Sequence, residues 1–211
     1  MTTGGNEGVT RRAMARTVGV LLSIAASLLL AGCAGAVIGA GATVGVAAVQ
    51  QRSIGDAGRD ARIDFEINSA FLQKNEKLFG ELLVDSVEGH VLLTGILDTE
   101  AAKTEAGQIA WKVAGVHEVI NEIQVGPDRS IGEYARDKRI GTELRTELIG
   151  DNRIDDVNYD TVTIKGVVYL FGIAKDPSEL DRVVQHVRNI SGVRDVVNHV
   201  MLKDDLERRQ S

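Results

Sequence analysis

The chain contains an internal repeat at a fixed offset of 77 residues, and this repeat constrains its fold more than any other feature. Residues 89–96 read GHVLLTGI and residues 166–173 read GVVYLFGI, so Gly, Val, Leu, Gly and Ile coincide. The same offset aligns Arg59-Asp60 with Arg136-Asp137 without a gap. Each copy spans about 65 to 70 residues, which is near the lower end of what folds alone. The repeat therefore predicts two small domains of one fold in tandem, each with its own core.

Hydrophobic periodicity predicts the order helix, strand, strand, helix, strand in each copy. In the second copy, Ile140, Leu144 and Leu148 recur every four residues and indicate a helix from about 134 to 149. Alternating residues at 161–164 and β-formers at 167–174 flank Lys165-Gly166, which predicts a hairpin. The first copy gives helices at 61–73 and 99–114 and strands at 81–86, 90–97 and 116–125.

The second helix of the second copy has the clearest start signal in the chain. Asp176 can cap this helix, Pro177 stands where a missing N–H costs nothing, and Glu179 completes a capping box. Its core face consists of Leu180, Val183, Val184, Val187 and Ile190. A closing strand from 193 to 202 follows this helical crossover, so it can pair in parallel with the preceding strand.

The fold class predicted from these elements is α+β. Two helices can cover only one face of a three-stranded sheet, so each αββαβ copy is expected to be a two-layer sandwich. The other face of each sheet is then left to solvent or to a partner.

Cys33 is the only cysteine in the chain, and it follows a signal-like segment. Arginines at 11, 12 and 16 precede an uncharged stretch at 17–30, which is shorter than the roughly 20 apolar residues of a membrane span. One thiol cannot form an internal disulfide or a thiolate metal cluster. Residues 30–33 read LAGC, and this motif resembles a bacterial lipobox, in which the cysteine carries diacylglycerol. We predict a signal peptide at 1–32 and a lipid on Cys33; the alternative is a signal-anchor with a buried cysteine.

The segment after Cys33 is rich in small residues, since positions 34–48 are almost wholly Ala, Gly and Val. We interpret residues 33–55 as a lipidated N-terminus and a flexible tether. The alternative is a helix whose regularly spaced glycines pack in or against the membrane.

The net charge argues against a nucleic-acid partner. Without residues 1–32 the chain keeps 21 Lys and Arg against 29 Asp and Glu, a formal net charge of −8. A general nucleic-acid role would require a basic face. Any contact with an anionic surface must therefore come from a local cluster of cations.

The glycine pattern of the two copies resembles a known family. The residues that carry the resemblance are Gly95 and Gly115-Val116 in one copy and Gly172 and Gly192-Val193 in the other. Both copies look like BON domains, at 56–126 and 133–203, followed by a charged C-terminal tail at 204–211. With the lipobox and tether, the chain from Cys33 onward resembles the dual-BON outer-membrane lipoproteins of Gram-negative bacteria, the DolP type. This resemblance implies a lipid-anchored, periplasm-facing outer-membrane protein. It also implies that the first helix of the second domain binds anionic phospholipid and that the protein supports envelope integrity.

The helix to which the resemblance assigns phospholipid binding carries both signs of charge. The candidate phospholipid-binding residues are Tyr134, Lys138, Arg139, Gly141 and Arg145. All but Arg139 fall on one narrow face, where an aromatic ring beside two long cations suits a headgroup layer. The alternative is an ordinary solvated helix with intrahelical ion pairs, because Asp137, Glu143 and Glu147 are interleaved with the cations. In the equivalent helix of the first domain, a core role is predicted for Phe65 and Phe71.

The sequence predicts no enzyme. The four histidines, His90, His117, His186 and His199, fall in separate elements, and no hydrolase, zinc-protease or phosphate-loop motif is present. We therefore predict no catalytic residues, no metal site and no cofactor. The competing non-enzymatic hypothesis is a periplasmic protein–protein interaction module, tethered by its lipid only, that uses the uncovered sheet faces and the groove between the two copies.

Overall fold

The structure is a computed structural model that describes residues 54–75, 80 and 82–210. The predicted signal peptide, Cys33 and the tether up to residue 53 lie outside the described residues. Within the described ranges, no helix combines the length and the hydropathy needed to span a bilayer.

Each copy folds in the order that the sequence predicts. The elements of the first domain are α1 (Ile54–Lys74), β1 (Leu82–Val87), β2 (His90–Leu97), α2 (Glu100–Ala110), β3 (Glu118–Asn121) and β4 (Gln124–Val125). Those of the second domain are α3 (Ile131–Gly150), a short 3-10 helix (Asp156–Asn158), β5 (Tyr159–Ile164), β6 (Val167–Ala174), α4 (Pro177–Asn189) and β7 (Asp195–Leu202), and α5 (Lys203–Gln210) ends the chain.

The strand pairing confirms the predicted hairpins and the predicted parallel closing strand. The first strand of each domain pairs antiparallel with the second, and the closing strand pairs parallel with the second. In the first domain the closing strand is split into β3 and β4, which both run along β2. The side chain of Asn121 turns back to accept a hydrogen bond from Ile123 N (3.4 Å) and donates to Lys103 O (2.8 Å), and it thus occupies the break.

Each pair of helices packs on its sheet through apolar side chains. Ile63, Ile67 and Phe71 of α1 are buried in the core of the first domain. Ile140, Leu144 and Leu148 of α3 stand at the repeat offset from them and occupy the same place in the second domain. The predicted start of α4 is also confirmed, because the Asp176 carboxylate accepts a hydrogen bond from Glu179 N at 2.9 Å. The predicted capping box is not formed, since the Glu179 carboxylate accepts from Lys175 N (2.8 Å) and Asp155 N (2.7 Å).

A third core lies between the two sheets, so of the two alternatives for the second face of each sheet, solvent or a partner, the face meets a partner, the other domain. From the first sheet it contains Val87, Leu92 and Ile96, from the second Ile164, Tyr169, Phe171 and Ile173, and from α5 Leu206. Each sheet therefore covers the face of the other sheet that is not packed against helices. The layers follow the order helix, sheet, sheet, helix. Because β2 and β6 are buried on both faces, they read as nearly continuous hydrophobic runs.

A buried aspartate on the first helix of each domain holds the hairpin turn. In the second domain the Asp137 carboxylate accepts hydrogen bonds from Lys165 N (2.8 Å) and Gly166 N (2.9 Å). In the first domain Asp60 accepts the equivalent pair from Glu88 N (3.0 Å) and Gly89 N (3.1 Å). The turn residues have positive φ, as the tight two-residue turns of hairpins require. The two aspartates that the repeat aligns therefore have a structural role, which is to hold the hairpin turns.

Candidate functional site

Helix α3 begins three residues before the predicted start, because Ser130 and Glu133 form a capping box. The Ser130 hydroxyl accepts a hydrogen bond from Glu133 N (3.2 Å), and Ser130 N donates to Glu133 Oε2 (2.9 Å). Hydrogen bonds from the Ser130 backbone, and then from its side chain, hold the pKa of Glu133 below its usual range. The serine three residues before a glutamate is a sequence signal for this start that periodicity alone passes over.

The early start places an apolar side chain beside the predicted aromatic. Ile131 is 90% exposed and Tyr134 is 48% exposed, both in the first turns of α3. The Tyr134 ring lies between two cations, with Arg129 Cζ 5.3 Å and Lys138 Nζ 5.4 Å from its centroid. We call Arg129, Ile131, Tyr134 and Lys138 the α3 tip. Sequence reasoning identified Tyr134 and Lys138 and missed Arg129 and Ile131.

The predicted narrow face of α3 lines a groove that continues from the α3 tip. Tyr134, Lys138, Gly141 and Arg145 face strand β5 across a cavity of about 560 Å³, and the exposed Leu83 of the first domain closes one side. A side chain added at Gly141 would meet no atom within 4 Å, so this glycine keeps the groove open. Arg145 is partly neutralised by Asp156, at 3.4 Å between Nη2 and Oδ2. The structure thus brings four of the five candidate residues together.

Arg139 lies apart from the other candidates. Its guanidinium pairs with Glu143 (2.6 Å) and donates to the carbonyl oxygen of Ser191, after the end of α4. Arg62, its equivalent in the first domain, pairs with Glu66 (2.7 Å) and donates to Ala114 O (2.9 Å). A contact present in both copies is part of the shared fold. It joins the two helices of each domain and does not contribute to the α3 groove.

Of the two aromatic residues predicted to lie in the core from α1, one is buried. Phe71 is buried in the core, as predicted, whereas Phe65 is 72% exposed and its predicted core role is wrong. Phe65 stands two residues after Ile63, about 200° around the helix, so it points away from the buried stripe. Trp111, after the end of α2, is also exposed.

The histidines belong to separate segments, but the fold brings His90 and His117 together at one cavity and leaves His186 and His199 apart. His186 lies between Glu147 (3.4 Å) and Asp151 (3.2 Å), while His199 meets Glu122 at 2.8 Å. Hydrogen bonds from Arg153 and then from His186 lower the pKa of Asp151. A cavity of about 700 Å³ beside the first hairpin turn is lined by His90 and His117 together with carboxylates and arginines. In the described part of the chain, no three His, Cys, Asp or Glu side chains are grouped so that they could hold a metal ion.

Two αββαβ domains with a shared glycine pattern and a capped, exposed helix start define a protein of the tandem BON class. The BON domain family matches residues 59–127 and 136–204, so the chain belongs to this family and the resemblance is confirmed. It is 36% identical over 151 residues to the protein in the gshII 5′ region of Anaplasma centrale, covering 71% of this chain and 99% of that protein. It is 30% identical to the outer membrane lipoprotein DolP of Haemophilus influenzae, covering 82% of this chain and 90% of that protein. It is 24% identical to osmotically-inducible protein Y of Escherichia coli, covering 71% and 76% of the two chains.

Proposed function

We propose that this protein is a non-enzymatic lipoprotein of the outer membrane that faces the periplasm and binds anionic phospholipid through the start of α3. In this proposal Cys33 carries the lipid anchor and the protein supports outer-membrane integrity. The similarity to the lipoprotein DolP supports the location, because it extends over 82% of this chain. The observation that carries the lipid-binding role is the α3 tip, where Ile131 is 90% exposed next to a tyrosine flanked by two cations.

The chemistry of the α3 tip suits the interface between headgroups and acyl chains. An exposed isoleucine and a tyrosine ring can enter the outer part of the bilayer, while long cationic side chains extend back to the phosphates. Each cation near an anionic surface contributes on the order of 1 kcal/mol. Arg129 and Lys138 both lie beside the Tyr134 ring, but Arg129 is partly neutralised by Asp137 at 3.3 Å, so Lys138 is the cation of the α3 tip on which the proposal mainly relies. The contact is therefore expected to need both anionic lipid and apolar insertion.

The competing role as a protein interaction module loses one of the two surfaces proposed for it, the sheet faces, and keeps the groove between the copies. The two sheet faces bury each other in the intersheet core. A protein partner would have to use other surfaces, such as that around the exposed Trp111 and Phe65. The vesicle experiment below distinguishes this alternative from lipid binding, because a protein interaction module would not bind vesicles.

Vesicle binding tests the lipid proposal with the chain from residue 53 onward, which lacks the proposed anchor. We expect co-sedimentation with vesicles that contain phosphatidylglycerol, weakened by salt, and none with pure phosphatidylcholine. Lys138→Glu/Arg145→Glu should reduce the apparent affinity by about 30-fold or more, since each of the two reversals replaces an attraction of about 1 kcal/mol by a repulsion. Ile131→Ser/Tyr134→Ser should reduce binding at low salt as well, because it removes apolar insertion and no charge.

A matched control makes the same change in charge elsewhere. Lys112→Glu/Arg188→Glu alters two exposed cations outside the α3 groove, and it should bind like the unaltered chain. Equal losses in both charge variants would mean that net charge alone drives binding and would refute a site at α3. Absence of binding to every vesicle would favour the protein-partner role.

The proposed anchor predicts a defined modification of the mature protein. Mass spectrometry of the chain purified from Gram-negative membranes should find an N-terminal peptide that starts at Cys33 with diacylglyceryl and acyl groups attached. Cys33→Ser should keep residues 1–32 and lack the added lipid mass. A mature wild-type chain that begins elsewhere, or an unmodified Cys33, would contradict the lipobox assignment.

A further inference from the structure

The contact between the two sheets has titratable groups at its margin as well as apolar side chains at its centre. Phe171 of β6 belongs to the intersheet core and stands beside His199 of β7 in the parallel ladder. His199 Nε2 lies 2.8 Å from Glu122 Oε1, which belongs to the first domain. Glu122 is the charged group that faces His199 across the contact, and its ladder neighbour Phe171 is uncharged. This contact joins the second domain to the first beside the intersheet core.

A second pair of titratable groups consists of two carboxyl groups, one from each sheet. Asp85 stands opposite Leu92 in the first hairpin, and Asp160 stands opposite Phe171 in the second. Leu92 and Phe171 both belong to the intersheet core, and directly opposed residues share one face of a sheet. Both residues therefore lie on the sheet faces that meet, where Asp85 is partly buried and Asp160 is exposed.

Asp85 is poorly accommodated in its charged form. Its Oδ2 atom is buried and has no hydrogen-bond partner among the described residues. Burial, followed by the negative charges of Asp160 on β5 and Asp64 on α1, raises the pKa of Asp85 to about 7. The charges that reach Asp85 from the elements packed around it are thus all of the same sign as its own, and ionisation is opposed from both domains.

We propose that the packing of the two BON domains against each other is acid-stabilised, with Asp85 as the group whose protonation holds the two sheets together. This inference is independent of the lipid-binding role. Protonation of Asp85 removes the repulsion between its buried carboxylate and Asp160 of the other sheet. The intersheet core and the hydrogen bond from Gln124 to Tyr169 Oη (3.0 Å) hold the contact at any pH, so alkali loosens the packing without removing it.

The direction of the pH dependence follows from linkage. A carboxyl group whose pKa is raised by packing contributes stability that is fully present below its ordinary value and is lost as the pH rises through the raised value. For Asp85 this window extends from its ordinary pKa of 3.8 to about 7. Between pH 5.5 and pH 8.5 the ratio of packed to separated domains is expected to fall by at most about 30-fold through Asp85, because Asp64 belongs to the same domain and its charge stays beside Asp85 when the domains separate.

Distances between spin labels on the two domains test the proposal in the full chain. Leu72 of α1 and Ile149 of α3 are 53% and 61% exposed, so labels at Leu72→Cys and Ile149→Cys, in a Cys33→Ser background, report on the arrangement of the domains. Electron–electron double resonance should give one narrow distance distribution at pH 5.5 and an additional, broader population at pH 8.5. Identical distributions at the two pH values would overturn the proposal.

Substitutions distinguish the assigned groups from a general effect of alkali. Asp85→Asn preserves the shape of the side chain and should give the narrow distribution at both pH values, and Asp160→Asn should reduce the broad population. Asp181→Asn, at an exposed position on α4, should behave like the parent chain. A broad population that persists unchanged in Asp85→Asn at pH 8.5 would refute the role of Asp85 and with it the proposal.

Discussion

Alanine at Gly172 is expected to destabilise the second domain by about 3 kcal/mol or more, from strain in the backbone and overpacking together. Gly172 lies within β6 with a φ of +130°, a conformation that residues with a side chain rarely adopt. A Cβ atom there would overlap the carbonyl oxygen of Asn158 and lie 3.0 Å from its carbonyl carbon and 3.2 Å from Tyr159 Cα. These are backbone atoms next to or within β5. They cannot move away from the added Cβ atom, because the antiparallel ladder pairs Tyr159 with Gly172.

Guanidinium denaturation of the full chain, followed by circular dichroism, measures this effect against a matched glycine. Gly141 lies in the α3 helix, and a Cβ atom there would meet nothing within 4 Å. Gly141→Ala should therefore raise the free energy of unfolding by about 0.4–1 kcal/mol, because alanine has less conformational freedom in the unfolded chain. If Gly172→Ala unfolds at the same denaturant concentration as the parent chain, the steric account of this strand is incorrect.

Loss of the carboxylate at Asp137 is expected to lower the free energy of unfolding by about 3–5 kcal/mol. Two hydrogen bonds to a charged acceptor disappear, and the two backbone amides that donated them are left without this acceptor near the core. Asp137 is buried, and it accepts from Lys165 N (2.8 Å) and Gly166 N (2.9 Å) and lies 3.3 Å from Arg129. Asp137→Ala removes both acceptors. Asp137→Asn keeps one acceptor oxygen, but its amide NH2 group would face one of the two backbone N–H donors. We therefore expect roughly half of that loss.

Hydrogen exchange locates the effect that denaturation measures. In Asp137→Asn, the amides of Lys165 and Gly166 should exchange faster than in the parent, while the first hairpin keeps its protection. Asp60→Asn should produce the same result in the first domain, because Asp60 makes the equivalent two contacts. Asp181→Asn is the surface control and should leave both stability and exchange unchanged. Equal stability of Asp137→Asn and the Asp181→Asn control would show that the buried carboxylate does not hold the turn.

The elements of each domain could be predicted from local patterns. Residues four apart on α3 identify its core face, and the cap at Asp176 identifies the start of α4, because both signals lie within one or two helical turns. The start of α3 at Ile131 was missed although its signal, Ser130 and Glu133, is equally local. At the break between β3 and β4, the side chain of Asn121 donates a hydrogen bond to Lys103 O on α2. Such a contact across elements has no signature in the strand itself.

Part of the candidate site also required the tertiary structure. The helical period placed Tyr134, Lys138, Gly141 and Arg145 on one face, and all four line the α3 groove. Arg139 could not be assigned from the helix alone, because its contact with the carbonyl oxygen of Ser191 comes from a residue 52 positions away. Arg129 precedes the helix and joins the α3 tip only through its position over the Tyr134 ring.

The sequence by itself determined the duplication, the αββαβ order of each copy and the residues that share each face of a strand or helix. Only the tertiary structure decided what those faces meet. The alternating side chains of β2 and β6 define two apolar faces on each strand, and two helices account for one of them. The other face is buried because the two domains pack sheet against sheet around Phe171 and Leu92. The periodicity of a chain records which side chains point the same way, whereas burial also depends on segments distant in sequence that no local pattern specifies.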